Sequence, residues 1–146
     1  MFSHESVKLA QSYWVLGLAQ MIHSIEETLS QLYLQLNSMI AILHQHFPWF
    51  PLVEISADVF AAINYLLLAL ILASVPAAEK GNRTGFFFMW LWAIVELLNG
   101  AFHIGTWVYL KHYFPGGISG PILFVLSILF IQQLRADSTQ TAQANQ

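Results

Sequence analysis

The stretch Met21-Ile22-His23-Ser24-Ile25-Glu26-Glu27-Thr28-Leu29 sets three ionisable side chains inside an apolar, helix-forming run. Charged groups at bilayer depth are expensive unless they are paired or bound to a metal, so such a run marks a functional site. A second run repeats the chemistry, with Glu96, Asn99 and His103 in Leu91-Trp92-Ala93-Ile94-Val95-Glu96-Leu97-Leu98-Asn99-Gly100-Ala101-Phe102-His103. Two buried sets of carboxylate and imidazole point to one metal site.

The rest of the chain supports a membrane setting. It has 146 residues, of which 57% are hydrophobic and only 9% charged, with a mean hydropathy of +0.59. That is a membrane composition. With no Cys there is no thiolate zinc site, no iron–sulfur cluster and no disulfide framework, so a metal must sit on nitrogen and oxygen. The net charge of -3 and the scattered Lys and Arg leave no basic footprint, which sets nucleic acid aside as a partner.

The sequence predicts an all-α integral membrane protein, a bundle of four transmembrane helices forming one domain over residues 1–135. Spans are expected at about 9–36, 55–75, 85–111 and 117–134, each near the roughly 20 residues a bilayer core needs. The first is the least apolar, but its polar residues fall on one arc of a helix, with Gln20, His23, Ser24, Glu27 and Ser30 opposite Leu18, Ile22, Ile25 and Leu29. The second ends at Pro76, and the short connector to Thr84 makes spans two and three antiparallel neighbours. His44-Gln45-His46-Phe47-Pro48-Trp49-Phe50-Pro51 reads as an interfacial loop, with the His pair solvated, and Pro115-Gly116-Gly117 must break the third helix.

The start lacks the basic region and cleavage site of a signal peptide, so the N-terminus is expected to be retained. Residues 136–146 form a polar tail expected to be disordered. Lys8, Lys80, Arg83 and Arg135 fall on one side of a four-span topology, against Lys111 on the other, which predicts cytoplasmic termini in an inner or plasma membrane.

In that topology spans one and three run in the same direction. At about 1.5 Å per residue, His23 and Asn99 both lie roughly 21 Å from the start of their spans, and Glu26, Glu27 and His103 about 26–27 Å, in the outer half. Glu96, Asn99 and His103 share one helical face. The candidate ligands are therefore His23, Glu26, Glu27, Glu96, His103 and His112, the last only if the chain bends before it, and Asn99, Asp58 and Ser119 are candidates for the surrounding shell. Asp58 also suits the start of its helix through the dipole.

Imidazole and carboxylate suit one or two divalent ions of zinc, iron or manganese. A mononuclear zinc site would use His23, Glu27 and His103, with Glu26 or Glu96 as general base; a dinuclear site would use all three carboxylates. The order His-x-x-Glu-Glu is not the His-Glu-x-x-His of zinc proteases, so protease chemistry does not follow.

Three stretches carry a resemblance: His23-Ser24-Ile25-Glu26-Glu27, the run from Glu96 to His103, and His112-Tyr113-Phe114-Pro115-Gly116-Gly117-Ile118-Ser119. The chain resembles the uncharacterised membrane proteins known for an HxxEE motif. The last stretch ends in Ser119 where the family pattern has Thr, which keeps the hydroxyl. The resemblance implies the site and no particular reaction.

Three readings follow. The leading one is a membrane-embedded metal-dependent enzyme, a hydrolase or a di-iron oxidoreductase, acting on an apolar or lipid-like substrate through a His/Glu site between helices 1 and 3. The alternatives are a proton or ion relay using the same residues, and a small cofactor-binding subunit, with haem between His23 and His103, in a larger membrane complex. The enzyme reading leaves open a homo-oligomer.

Overall fold

The computed structural model describes residues 4–144, in five helices. These are α1 (His4–Leu29), α2 (Leu32–His46), α3 (Ala57–Glu79), α4 (Arg83–Leu110) and α5 (Ser119–Ala144). Their ends follow from local chemistry. Ser56 caps α3 by accepting from the Val59 amide at 3.3 Å, and Asn82 caps α4 by accepting from Gly85 at 2.9 Å. Lys111, in the left-handed conformation with φ 58°, closes α4.

Among the described residues three helices are long and apolar enough to cross a membrane, not four: Ala57–Glu79, Arg83–Leu110 and Ser119–Ser138. The expected first span fails on composition, because Gln11, Ser12, Gln20, His23, Ser24, Glu26 and Glu27 dilute its apolar face. The even number of spans that placed both termini on one side is thereby lost. The first span was also drawn too long. Gln31, with φ 57°, breaks the chain after α1, and a separate helix, α2, occupies part of the expected loop. Thr28 and Ser30 precede the break, donating to the carbonyls of Ser24 at 2.7 Å and Glu26 at 2.5 Å, a pattern that bends helices.

Pro76 does not end α3, which continues to Glu79. At the far end, α5 runs on to Ala144 through most of the segment expected to be an unstructured tail.

The register of the helices is set by a few pairs. Tyr13 meets Ser74 at 2.6 Å near one end of α1 and α3, and Glu27 meets Asn64 at 3.1 Å near the other, so these helices are antiparallel. Tyr13 also stacks on Phe130 at 5.9 Å, and Glu26 bonds Ser119, which makes α5 antiparallel to α1. Helix α4 packs on α3 and α5, and lies diagonally across from α1. Leu9, Tyr13, Leu16, Ile71, Val75, Met89, Leu123 and Phe130 form the apolar core at the end of the bundle where α1 begins. Leu32, Phe60 and Phe114 close the opposite end, so the polar residues of α1 are held between two apolar layers.

The tightest helix contact is at Gly85, where an added Cβ would lie 2.1 Å from the Ala77 carbonyl oxygen. A methyl group there must push α4 off α3, whereas Gly105 of the same helix has nothing within 4 Å of such a methyl. Gly85→Ala is expected to destabilise the protein by about 1–3 kcal/mol, the usual cost of overpacking, and Gly105→Ala to leave it unchanged. Thermal melts of the two variants in detergent check this, and equal melting temperatures would refute it.

Candidate metal centre

Within the buried centre of the bundle, His23 and Glu27 of α1 face His103 of α4. His23 and Glu27 are one turn apart and share a face. All three residues are buried, with 0%, 5% and 1% exposure. Glu27 Oε1 lies 3.2 Å from His23 Nε2 and 3.0 Å from His103 Nε2. The two rings meet edge to face at 83° with centroids 4.6 Å apart.

The far side of each ring decides which nitrogen carries hydrogen. His103 Nδ1 lies 2.7 Å from the Pro115 carbonyl oxygen, an obligate acceptor, so Nδ1 is the protonated nitrogen. His23 Nδ1 lies 2.8 Å from Ser119 Oγ, whose one hydrogen goes to Glu26 Oε2, so Nδ1 again is the donor. With Nδ1 so engaged, each ring turns Nε2 toward Glu27 Oε1, and His103 Nε2 is within hydrogen-bonding distance of it at 3.0 Å. His23 Nε2 is buried without a hydrogen bond. His23 Nε2, His103 Nε2 and Glu27 Oε1 lie within 4.8 Å of one another. On a tetrahedral zinc with bonds of about 2.0–2.1 Å, ligand atoms sit about 3.3 Å apart, close to the separations seen here. The cluster is therefore able to coordinate a metal ion.

The second oxygen of Glu27 is held as well. Asn64 of α3 donates to Oε2 at 3.1 Å, and its own oxygen lies 3.5 Å from Ser24, which accepts from Gln20 at 3.1 Å. Sequence reasoning missed Asn64, although a buried amide in the apolar run Ala61-Ala62-Ile63-Asn64-Tyr65-Leu66 was a readable signal. It also missed the part played by the α4–α5 connector. Gly116 has φ +80°, and an added Cβ would lie 2.4 Å from His103 Cε1 and 2.9 Å from His23 Cε1, so the bare backbone rests against both rings.

The other candidates lie apart from this group. Glu26 accepts from Tyr113 Oη at 2.8 Å, from the amides of Ile118 at 3.1 Å and Ser119 at 2.8 Å, and from the Ser119 hydroxyl. It thus satisfies the start of α5, where the helix dipole favours an anion. Partial burial and the Glu26 carboxylate push the Tyr113 phenol above its ordinary value, which keeps it a donor. Glu96 is buried at 1% exposure, with Asn99 Nδ2 3.5 Å from its Oε2, two turns from His103 on the same face. His112 is exposed beyond α4 and turns Nδ1 to the Tyr113 carbonyl at 2.9 Å. Asp58 is exposed in the first turn of α3. His44 bonds the Phe50 carbonyl at 2.6 Å and His46 that of Ile42 at 2.9 Å.

Residues 14–131 match the family described as proteins of unknown function with an HXXEE motif. The chain belongs to this family. Its motif is His23-Ser24-Ile25-Glu26-Glu27. No curated protein and no solved structure matches the chain. The HXXEE residues supply His23 and Glu27 to the cluster from α1, and His103 comes from α4. In this five-helix numbering the site lies on helices 1 and 4, not 1 and 3, because α2 intervenes.

Gly116→Ala is expected to displace the connector from the two rings and lower retained metal at least tenfold while helix content stays at the wild-type level, the usual loss when a group that orients metal ligands is disturbed. Metal analysis beside circular dichroism measures both, and full metal retention would show that the connector does not shape the site.

Proposed function

We propose that this chain is a membrane-embedded, metal-dependent hydrolase acting on an apolar or lipid-like substrate. The observation that carries the reading is the convergence of His23 Nε2, His103 Nε2 and Glu27 Oε1 in the buried centre of the bundle, with His23 Nε2 lacking a hydrogen bond. Two imidazoles and one carboxylate with a fourth position open is the ligand set of mononuclear hydrolytic zinc sites. A divalent cation held there supplies Lewis-acid polarisation to water or to a substrate carbonyl.

The remaining roles belong to the chain itself. Asn64 fixes the Glu27 carboxylate, and the Pro115 carbonyl fixes His103. Glu96, buried two turns from His103 on the same face of α4 with a single long hydrogen bond to Asn99, is assigned the role of general base toward a water at the centre. The connector residues Phe114 to Gly117 are buried and cover the cluster at its end of the bundle, which leaves the sides of the bundle, between helices, as the entry this reading requires. That route favours a molecule already dissolved in lipid. A dinuclear oxidative centre is less well supported, since Glu26, one of the carboxylates it would need, is engaged at the start of α5.

Protein purified in detergent without chelators is expected to hold about one zinc per chain, and Glu27→Ala and His103→Ala to hold almost none. Glu96→Gln is expected to keep the metal but cut hydrolysis of long-chain esters by about 10²–10⁴-fold. Iron in place of zinc would redirect the reading to oxidative chemistry. Absence of metal from the wild type after attempted reloading would overturn it and favour a proton relay through the same residues.

A further inference from the structure

The bond between His23 and α5 does more than fasten a helix. Ser119 Oγ lies 2.8 Å from His23 Nδ1 and also meets Glu26 Oε2, so one hydroxyl joins a carboxylate to an imidazole. The carboxylate can only accept, so it takes the hydroxyl hydrogen and leaves the Ser119 oxygen to accept from His23 Nδ1–H. Glu26 cannot swing away from this arrangement. Its Oε1 holds the Tyr113 hydroxyl at 2.8 Å and the Ile118 amide at 3.1 Å, and its Oε2 holds the Ser119 amide at 2.8 Å.

Capping α5 accounts for the amide bonds alone. The side-chain link to His23 lies outside that duty, since a serine at a helix start satisfies amides of its own helix. Both Ser119 and His23 are buried, at 7% and 0% exposure, so water does not replace the link at low cost.

We infer that Ser119, held by Glu26, is a positioning residue that fixes His23 in its Nδ1–H form and so sets the affinity of the metal centre. The inference rests on the metal reading and assigns the first glutamate of the motif, Glu26, to orientation, leaving the second, Glu27, as the ligand. Outer-shell partners of this kind change metal affinity by about 10–100-fold when removed.

The test uses full-length protein in detergent, titrated with Co²⁺ in competition with a chromophoric chelator. Ser119→Ala is expected to bind Co²⁺ about 10–100-fold more weakly and with shifted visible absorption bands, and Ser119→Thr, which restores the hydroxyl, to bind within a few-fold of wild type. Nitrogen-15 spectra of the histidines in Zn²⁺-loaded wild type, which need no variant to fold, are expected to show His23 protonated at Nδ1. Wild-type affinity and spectrum in Ser119→Ala, equal loss in Ser119→Thr, or a His23 metallated through Nδ1 would each overturn the relay. Failure of wild type to bind Co²⁺ or Zn²⁺ would instead overturn the metal reading beneath it.

Discussion

Two imidazoles and a carboxylate that face one another inside a helical bundle must be held by partners, and much of this structure supplies them. Every constraint on the cluster comes from a different element. Helix α3 contributes Asn64 to Glu27, the connector contributes the Pro115 carbonyl to His103, and α5 contributes Ser119 to His23. Helices α1 and α4 are diagonal in the bundle and touch little elsewhere, so the cluster is their main meeting point. Removing any one partner leaves a buried polar group facing a void, which costs more than the bond was worth.

The same constraint explains the composition of α1. A helix that carries Gln20, His23, Ser24 and Glu27 inward cannot also be apolar enough to read as a span by itself, and its burial depends on the three apolar helices. The polar face is continuous. From Tyr13 with Ser74, through Gln20 and Ser24 with Asn64, to Glu27, α1 and α3 exchange hydrogen bonds along much of their length. Networks of this kind specify register better than apolar packing does, because a slipped pairing would strand its members.

How much of this could be read from the chain follows from the range of each signal. The apolar runs of α3, α4 and α5, and the meeting of His23, Glu27 and His103, depend on composition and helical spacing, which sequence carries directly. The break at Gln31 was not legible, since a glutamine in the left-handed conformation announces itself with neither Gly nor Pro. Nor was the separation of Glu26 from Glu27. Adjacent helix positions diverge by about 100°, so one side chain can join the cluster while the next serves another helix, but spacing alone does not say which. That choice was made by the start of α5, more than 90 residues away in the chain. His112 and Asp58 have the right chemistry, yet both are exposed, and the chain closes over the cluster with Phe114 to Gly117 instead.

The span between partners also bears on how the protein is made. The most polar helix is synthesised first, while the groups that neutralise it arrive last: Asn64 follows Glu27 by 37 residues, His103 by 76, and Ser119 follows Glu26 by 93. A nascent chain ending before Tyr113 lacks every partner that Glu26 has on the α4–α5 connector and at the start of α5. Helix α1, the first to be made, is therefore expected to be the last to settle, once α3, α4 and the head of α5 are there to receive its polar face.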